Sequence, residues 1–401
     1  MKIKIEKGRA SGKIDAPKSK SMAHRLLIAA ALARGKSTVA GISLCEDVLA
    51  TVDCLSALGA EIKIDGDVAE VRGIDPRSAC ARGVLCARES GSTLRFMIPI
   101  AMLSGNEAIF TGAERLLERP MSVYEDLACR TGITFERLDG RIKVRGPIGV
   151  RDFYLPGNIS SQFITGLLFI LPLLGGERRI HITTKIESRS YLDLTLSAMR
   201  EFGISAEWEN DQTLLVRPGS YKNRCVEVEG DWSGAAFPDA LNLLGGRVEI
   251  SGLSDKSLQG DKIYRRYFSE LLSGTPTLSL EDCPDLAPIL FTLAAALSGG
   301  RFTGTARLRI KESDRGAVMA EELAKFGAEV SVEENSVTVR GGGLHAPDCV
   351  LCGHNDHRIV MSLAVLCTLF GGVIDGAEAI KKSYPEFFED LLRLGIKVNE
   401  I

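Results

Sequence analysis

Apolar positions along the chain repeat one arrangement six times. A helix-length stretch rich in Ala, Leu and Ile runs to a break at glycine and into a short β-like run. The copies lie at Leu26–Gly41, Phe96–Gly112, Phe163–Ile182, Ala236–Gly252, Ala287–Gly304 and Ile359–Gly376. Their break glycines, Gly35, Gly105, Gly175, Gly245, Gly299 and Gly371, are 70, 70, 70, 54 and 72 residues apart. Such spacing marks a repeated structural unit. Each stretch is apolar nearly all round and predicts a buried helix.

A second signature follows in the same units: an amphipathic helix, a glycine, then another β-like run. It reads at Asp53–Ile64, Ser197–Trp208, Glu321–Val332 and Asp390–Val398. Glycine suits the left-handed position that ends such helices. The expected unit is strand–helix–strand–helix–strand–strand, an α/β class. The fourth copy is short, with little room for its final strand pair after Asp255. A division near Tyr221–Val226 gives three units on each side, and Met1–Gly8 alternates charge and isoleucine as a strand does.

Composition narrows this picture. A chain of 401 residues is long for one core, so two domains are expected. A net charge of −3 argues against general nucleic-acid or membrane-surface binding. The apolar stretches, about 10–14 residues, are too short to span a bilayer. Ten cysteines without a framework pattern read as free thiols of a cytoplasmic protein.

Chemistry concentrates just before each buried helix. Ser21, Gly91, Ser161 and Asp231 are 70 residues apart, Asp285 follows after 54 and Asp356 after 71. Serine and aspartate here are natural N-caps. Capping does not explain the adjacent Lys20, Arg25, Arg95, Gln162 and Arg358. A helix N-terminus beside a cation is an anion site, and the inferred ligand carries several negative charges, as phosphates and carboxylates do. Arg119 sits in a proline-stiffened loop. Lys311, Glu312 and Arg315 gather at an expected helix start, and Lys382 precedes a helix expected to begin at a proline. Cys349, Cys352, His354 and His357 suggest zinc only weakly, because a second ligand pair at usual spacing is missing. Gly35-Lys36-Ser37-Thr38 is not a complete phosphate loop. His24 reads as a helix-surface or supporting residue, and Tyr384, Phe387 and Phe388 as packing of the last helix.

At these motifs the sequence resembles the EPSP synthase (3-phosphoshikimate 1-carboxyvinyltransferase) family. The matching pieces are S-K-S-M-A-H-R, S-G-S-T-L-R, E-R-P-M, N-I-S-S-Q-F, P-D-L-A, I-K-E-S-D-R, N-D-H-R and K-S-Y-P-E-F-F, in order over most of the chain. The resemblance implies transfer of the enolpyruvyl group of phosphoenolpyruvate (PEP) to the 5-hydroxyl of shikimate 3-phosphate by addition and elimination, without metal or organic cofactor. It implies two domains of three βαβαββ units each, an inside-out α/β barrel arrangement, with the active site in the cleft between domains. We place these at residues 13–225 and at 1–12 plus 226–401. Shikimate 3-phosphate would be held by Lys20, Ser21, Arg25, Ser160, Ser161, Gln162, Ser188, Asp285 and Lys311. PEP would be held by Lys20, Gly91, Arg119, Gln162, Arg315, Arg358 and Lys382. Asp285 is the expected base on the 5-hydroxyl; Glu312 and Lys20 are both candidates for proton delivery. The expected partners are the two substrates alone, with no nucleic acid or membrane, and the expected state is a monomer. Glu89 and Arg307 depart from the family, where asparagine is often found, and Ser92 replaces a common threonine. The related transferase acting on UDP-N-acetylglucosamine carries a reactive cysteine in the loop that corresponds to Glu114–Met121, which has none here.

Overall fold

The computed structural model describes residues 1–401. Contacts divide it into two compact units, Lys18–Glu229 and Met1–Pro17 with Gly230–Ile401. Each has its own hydrophobic core. Strand pairing explains these divisions. Ser11–Asp15 pairs in parallel with Arg247–Ser251, which takes the chain through Pro17 into the second unit. Cys225–Glu227 pairs with Lys36–Ala40, which keeps that segment with the first.

In the Lys18–Glu229 unit the helices are α1 (Lys20–Leu32), α2 (Glu46–Ala57), α3 (Gly91–Ala101), α4 (Glu114–Glu118), α5 (Ser122–Thr131), α6 (Ser161–Ile170) and α7 (Arg189–Glu201). Three four-stranded sheets accompany them, each with one parallel and two antiparallel pairings. Helices α1, α3 and α6 are the apolar ones, and their sequences leave them no face for water. In α1 every residue from Ala23 to Leu32 is buried. Packing between α3 and α6 is close at Gly166, where an added Cβ would lie 2.4 Å from the Arg95 carbonyl oxygen and 2.6 Å from the Tyr124 hydroxyl. That hydroxyl donates to the Arg95 carbonyl at 2.7 Å, a bond that a buried phenol requires.

The other unit holds α8 (Trp232–Leu243), α9 (Tyr264–Ser273), α10 (Ala287–Ala296), α11 (Arg315–Ala324), α12 (His357–Phe370) and α13 (Phe387–Arg393). The fourth repeat lacks its final hairpin and keeps a two-stranded sheet, completed by Ser11–Asp15. The sixth borrows Lys2–Ile5 as the strand between Gly372–Asp375 and Val398–Glu400. Gly59, Gly203, Gly327 and Gly395, which follow the amphipathic helices, all have positive φ, between 81° and 107°.

Three local expectations need correction. His24 is fully buried and lies 2.7 Å from the Thr51 hydroxyl, so the helix-surface alternative fails and the supporting one is left. Pro385 does not open the last helix, which begins at Phe387; Lys382 ends a separate 3-10 turn, Ala377–Lys382. The caps of α1, α3 and α6 are Ser19, Ser90 and Ser160, so Ser21, Gly91 and Ser161 lie in the first turns themselves. Tyr384, Phe387 and Phe388 are buried together as expected.

Candidate active site

The first cluster lies at the helix starts of the Lys18–Glu229 unit. Lys20, the first residue of α1, reaches the Asp47 carboxylate at 2.7 Å, with both side chains mostly buried. The carbonyl of Asp47 accepts from the Thr93 hydroxyl at 3.2 Å, which ties Lys20 to the start of α3. Gly91 opens α3. A Cβ there would lie 2.8 Å from one guanidinium nitrogen of Arg119 and 3.0 Å from one of Arg95, so two arginines converge on a bare backbone. Arg95 donates to Gln162 Oε1 at 2.7 Å, and Gln162 Nε2 donates to Ser92 at 3.0 Å. Lys20, Gly91, Arg119 and Gln162 are thus brought to neighbouring helix ends.

Arg25 faces the start of α7. It donates to the Thr195 hydroxyl at 2.9 Å and to the carbonyls of Ser21 and Tyr191 at 2.7 and 3.0 Å. Burial lowers its pKa to about 10, still charged at neutral pH. Ser188 is buried in the left-handed conformation, φ 60°, just before α7. The Ser160 hydroxyl accepts from the Gln162 amide at 3.3 Å and Ser161 is buried beside it.

The second cluster is built around Arg315, the first residue of α11 and 1% exposed. Its guanidinium meets three carboxylates: Asp356 at 2.8 Å, Asp285 at 2.8 Å and Glu312 at 2.9 Å. Asp285 also faces Arg358 at 3.2 Å and Lys311 at 3.3 Å. Burial opposes ionisation of Asp285, but Arg358, Lys311 and Arg315 outweigh it and hold the carboxyl well below its ordinary range. The Asp285 side chain keeps 21% of its surface exposed, so the three cations decide its direction more than burial does. Burial lowers the Lys311 pKa, and Asp285 opposes that shift. For Arg315 the carboxylates overcome burial and raise the pKa well above its ordinary value. Lys382 donates to the Asn355 carbonyl at 2.5 Å.

Sequence reading missed the partners that hold these groups in place. These are Asp47, Asp356 and Ser313, whose hydroxyl donates to Asp356 at 3.0 Å. Asp356 caps α12 through the Arg358 amide at 2.9 Å and also grips Arg315. The spacing of 71 from Asp285 flagged its cap, but no linear signal announces the pairing with Arg315. Asp285 itself caps nothing; it sits in a 3-10 turn, Pro284–Leu286. Of the departures, Arg307 donates to the Glu281 carbonyl at 2.6 Å.

For a cation, Glu321, Glu322 and His354 present ligand atoms within 4.8 Å of one another. The Lys325 ammonium, 2.7 Å from Glu322, already occupies that charge. Cys349 and Cys352 are exposed, and His357 is buried as the first residue of α12. No helix is long and apolar enough to cross a membrane.

The family model described as EPSP synthase (3-phosphoshikimate 1-carboxyvinyltransferase) matches residues 5–391. The 3-phosphoshikimate 1-carboxyvinyltransferase of Clostridium beijerinckii is 38% identical, covering 98% of this chain and 97% of its own. That of Clostridioides difficile is 36% identical, covering 99% and 98%. Among solved structures, EPSP synthase from Acinetobacter baumannii superposes with a TM-score of 0.78 at 23% identity over 100% of both chains. The enolpyruvyl transferase NikO from Streptomyces tendae gives 0.75 at 16% identity, covering 99% of this chain and 98% of that one. These two likenesses concern the fold. With the family match spanning nearly the full length and relatives at this identity, the chain belongs to the EPSP synthase family.

Proposed function

We propose that the two clusters divide the work of the family reaction, transfer of the enolpyruvyl group of PEP to shikimate 3-phosphate. Asp285 is the base that takes the proton of the 5-hydroxyl as its oxygen attacks C2 of PEP. The methylene carbon gains a proton from Glu312 or Lys20 to complete the tetrahedral adduct. That residue then takes a proton back from the new methyl group, which re-forms the double bond as the bond to phosphate breaks and phosphate leaves.

The observation that carries this reading is the environment of Asp285. Three cations keep it ionised in the free protein, and an ionised carboxylate is a proton acceptor. The same cations are the proposed ligands of the substrate anions. Once PEP and the phosphate compete for Arg315, Arg358 and Lys311, Asp285 loses part of its stabilisation and becomes a stronger base. Arginine suits the holding task because its planar fork meets carboxylate or phosphate in two bonds. In the other unit Lys20, Ser21, Arg25, Ser160, Ser161, Gln162 and Ser188 take shikimate 3-phosphate, and Lys20, Gly91, Arg119 and Gln162 contribute to PEP. The enzyme works as a monomer in the cytoplasm, where its ten free thiols stay reduced.

The test is phosphate release with each acceptor. We expect turnover with PEP and shikimate 3-phosphate and none with UDP-N-acetylglucosamine. Asp285→Ala should lower kcat by about 1,000-fold with modest change in either KM. Near-normal turnover in that variant would sink the assignment of the base.

A further inference from the structure

We propose that Glu322, which belongs to neither ligand set, is a positioning residue for the PEP-binding groups of its unit. The inference rests on the reading of Arg315, Arg358 and Lys382 given above.

Glu322 is fully buried near the end of α11. Its carboxylate accepts from the Cys352 backbone amide at 3.0 Å, from the His354 imidazole at 2.8 Å and from the Lys325 ammonium at 2.7 Å. Two of these three bonds hold the bend that leads into α12. That bend is unusual in its own right. His354 and Asn355 are consecutive non-glycine residues with φ of 46° and 52°. L-residues visit this region singly, and a pair persists only when surrounding contacts dictate it.

What the bend carries explains why it is held. The Asn355 carbonyl accepts from Lys382, Asp356 grips Arg315 and caps α12, and Arg358 stands in the first turn of α12. Glu322 and Arg315 are seven residues apart on α11, two turns along one face. The helix is therefore fastened to the same segment at both ends, by Arg315–Asp356 at its start and by Glu322 at its close. A buried carboxylate is weak evidence of a stabilising role, since an apolar residue of similar volume often serves as well. Its bonds to a backbone amide and to His354 fix a backbone conformation, which apolar packing would leave unspecified.

The test compares Glu322→Gln with two references. Lys325→Met removes the third partner of Glu322 without touching the bend, and Lys382→Met removes a proposed PEP ligand. We expect Glu322→Gln to raise KM for PEP about tenfold, with KM for shikimate 3-phosphate and kcat within about twofold. Lys325→Met should leave all three within about twofold. Unchanged KM for PEP in Glu322→Gln overturns the proposal, as does an equal rise in Lys325→Met or a parallel rise in both KM values. If Lys382→Met leaves KM for PEP unchanged, the reading of the site has failed; if it raises KM and Glu322→Gln does not, only this inference has. Should Glu322→Gln not fold, His354→Ala removes one of the two bonds to the bend at a partly exposed position. A rise of about threefold in KM for PEP supports the proposal and no rise overturns it.

Discussion

Gly91 shows how a single missing Cβ organises charge. Two guanidinium groups reach positions that any side chain would contest, and both belong to flexible arginines that can yield. Gly91→Ala should therefore fold with little change in Tm while displacing Arg119 and Arg95. We expect KM for PEP to rise about tenfold, read by steady-state kinetics at saturating shikimate 3-phosphate. An unchanged KM would remove Gly91 from the PEP site. The residue types were legible in the sequence: lysine, arginine and glutamine beside helix starts pointed to an anionic ligand. Their partners were not. Asp47 lies 27 positions from Lys20 in sequence yet 2.7 Å from it in space, and no spacing rule links them.

At the scale of elements, helix starts serve two purposes at once, and substitution can separate them. Asparagine caps a helix about as well as aspartate, so Asp356→Asn should preserve α12 while stripping Arg315 of its buried partner. With Asp285 and Glu312 still in place, we expect a loss of about 3 kcal/mol, read by urea unfolding. A loss under about 1 kcal/mol would show that the pair contributes little. Helix packing offers a second test at Gly166. An added methyl there meets the Arg95 carbonyl and the Tyr124 hydroxyl, so Gly166→Ala should destabilise the Lys18–Glu229 unit by about 1–3 kcal/mol. Wild-type stability in that variant would mean α3 and α6 separate at little expense. The repeat, the buried helices and the truncated fourth unit were all readable, because their period and apolar character are local. The caps were misplaced by one or two residues, because sequence shows a run of serines without saying which has the extended backbone.

Across the whole molecule, His24 links acid stability to a buried network. Burial first, then the charges of Lys20 and Arg25, depress its pKa well below the usual value of 6.5. In the folded protein it stays neutral at a pH where the unfolded chain binds a proton. Stability from this source is complete above about pH 6.5 and falls below it, by about 1.4 kcal/mol per pH unit, until the folded pKa is reached. His24→Gln should flatten that slope between pH 5 and 6.5 in urea titrations; an undiminished slope would assign the acid sensitivity elsewhere.

What the sequence determined by itself was periodicity and chemistry. Six apolar stretches demand burial wherever they fold, glycines after amphipathic helices admit the left-handed turn, and motifs from Lys20 to Phe388 carry the family resemblance. Tertiary structure decided which distant groups meet. Ser11–Asp15 and Lys2–Ile5 complete sheets more than 200 residues away, and Arg315 finds Asp285 and Asp356 across 30 and 41 positions. The physical reason is that burial and backbone preference act over a few residues and leave a periodic trace. An ion pair records only a distance in space, which appears when the chain has already folded.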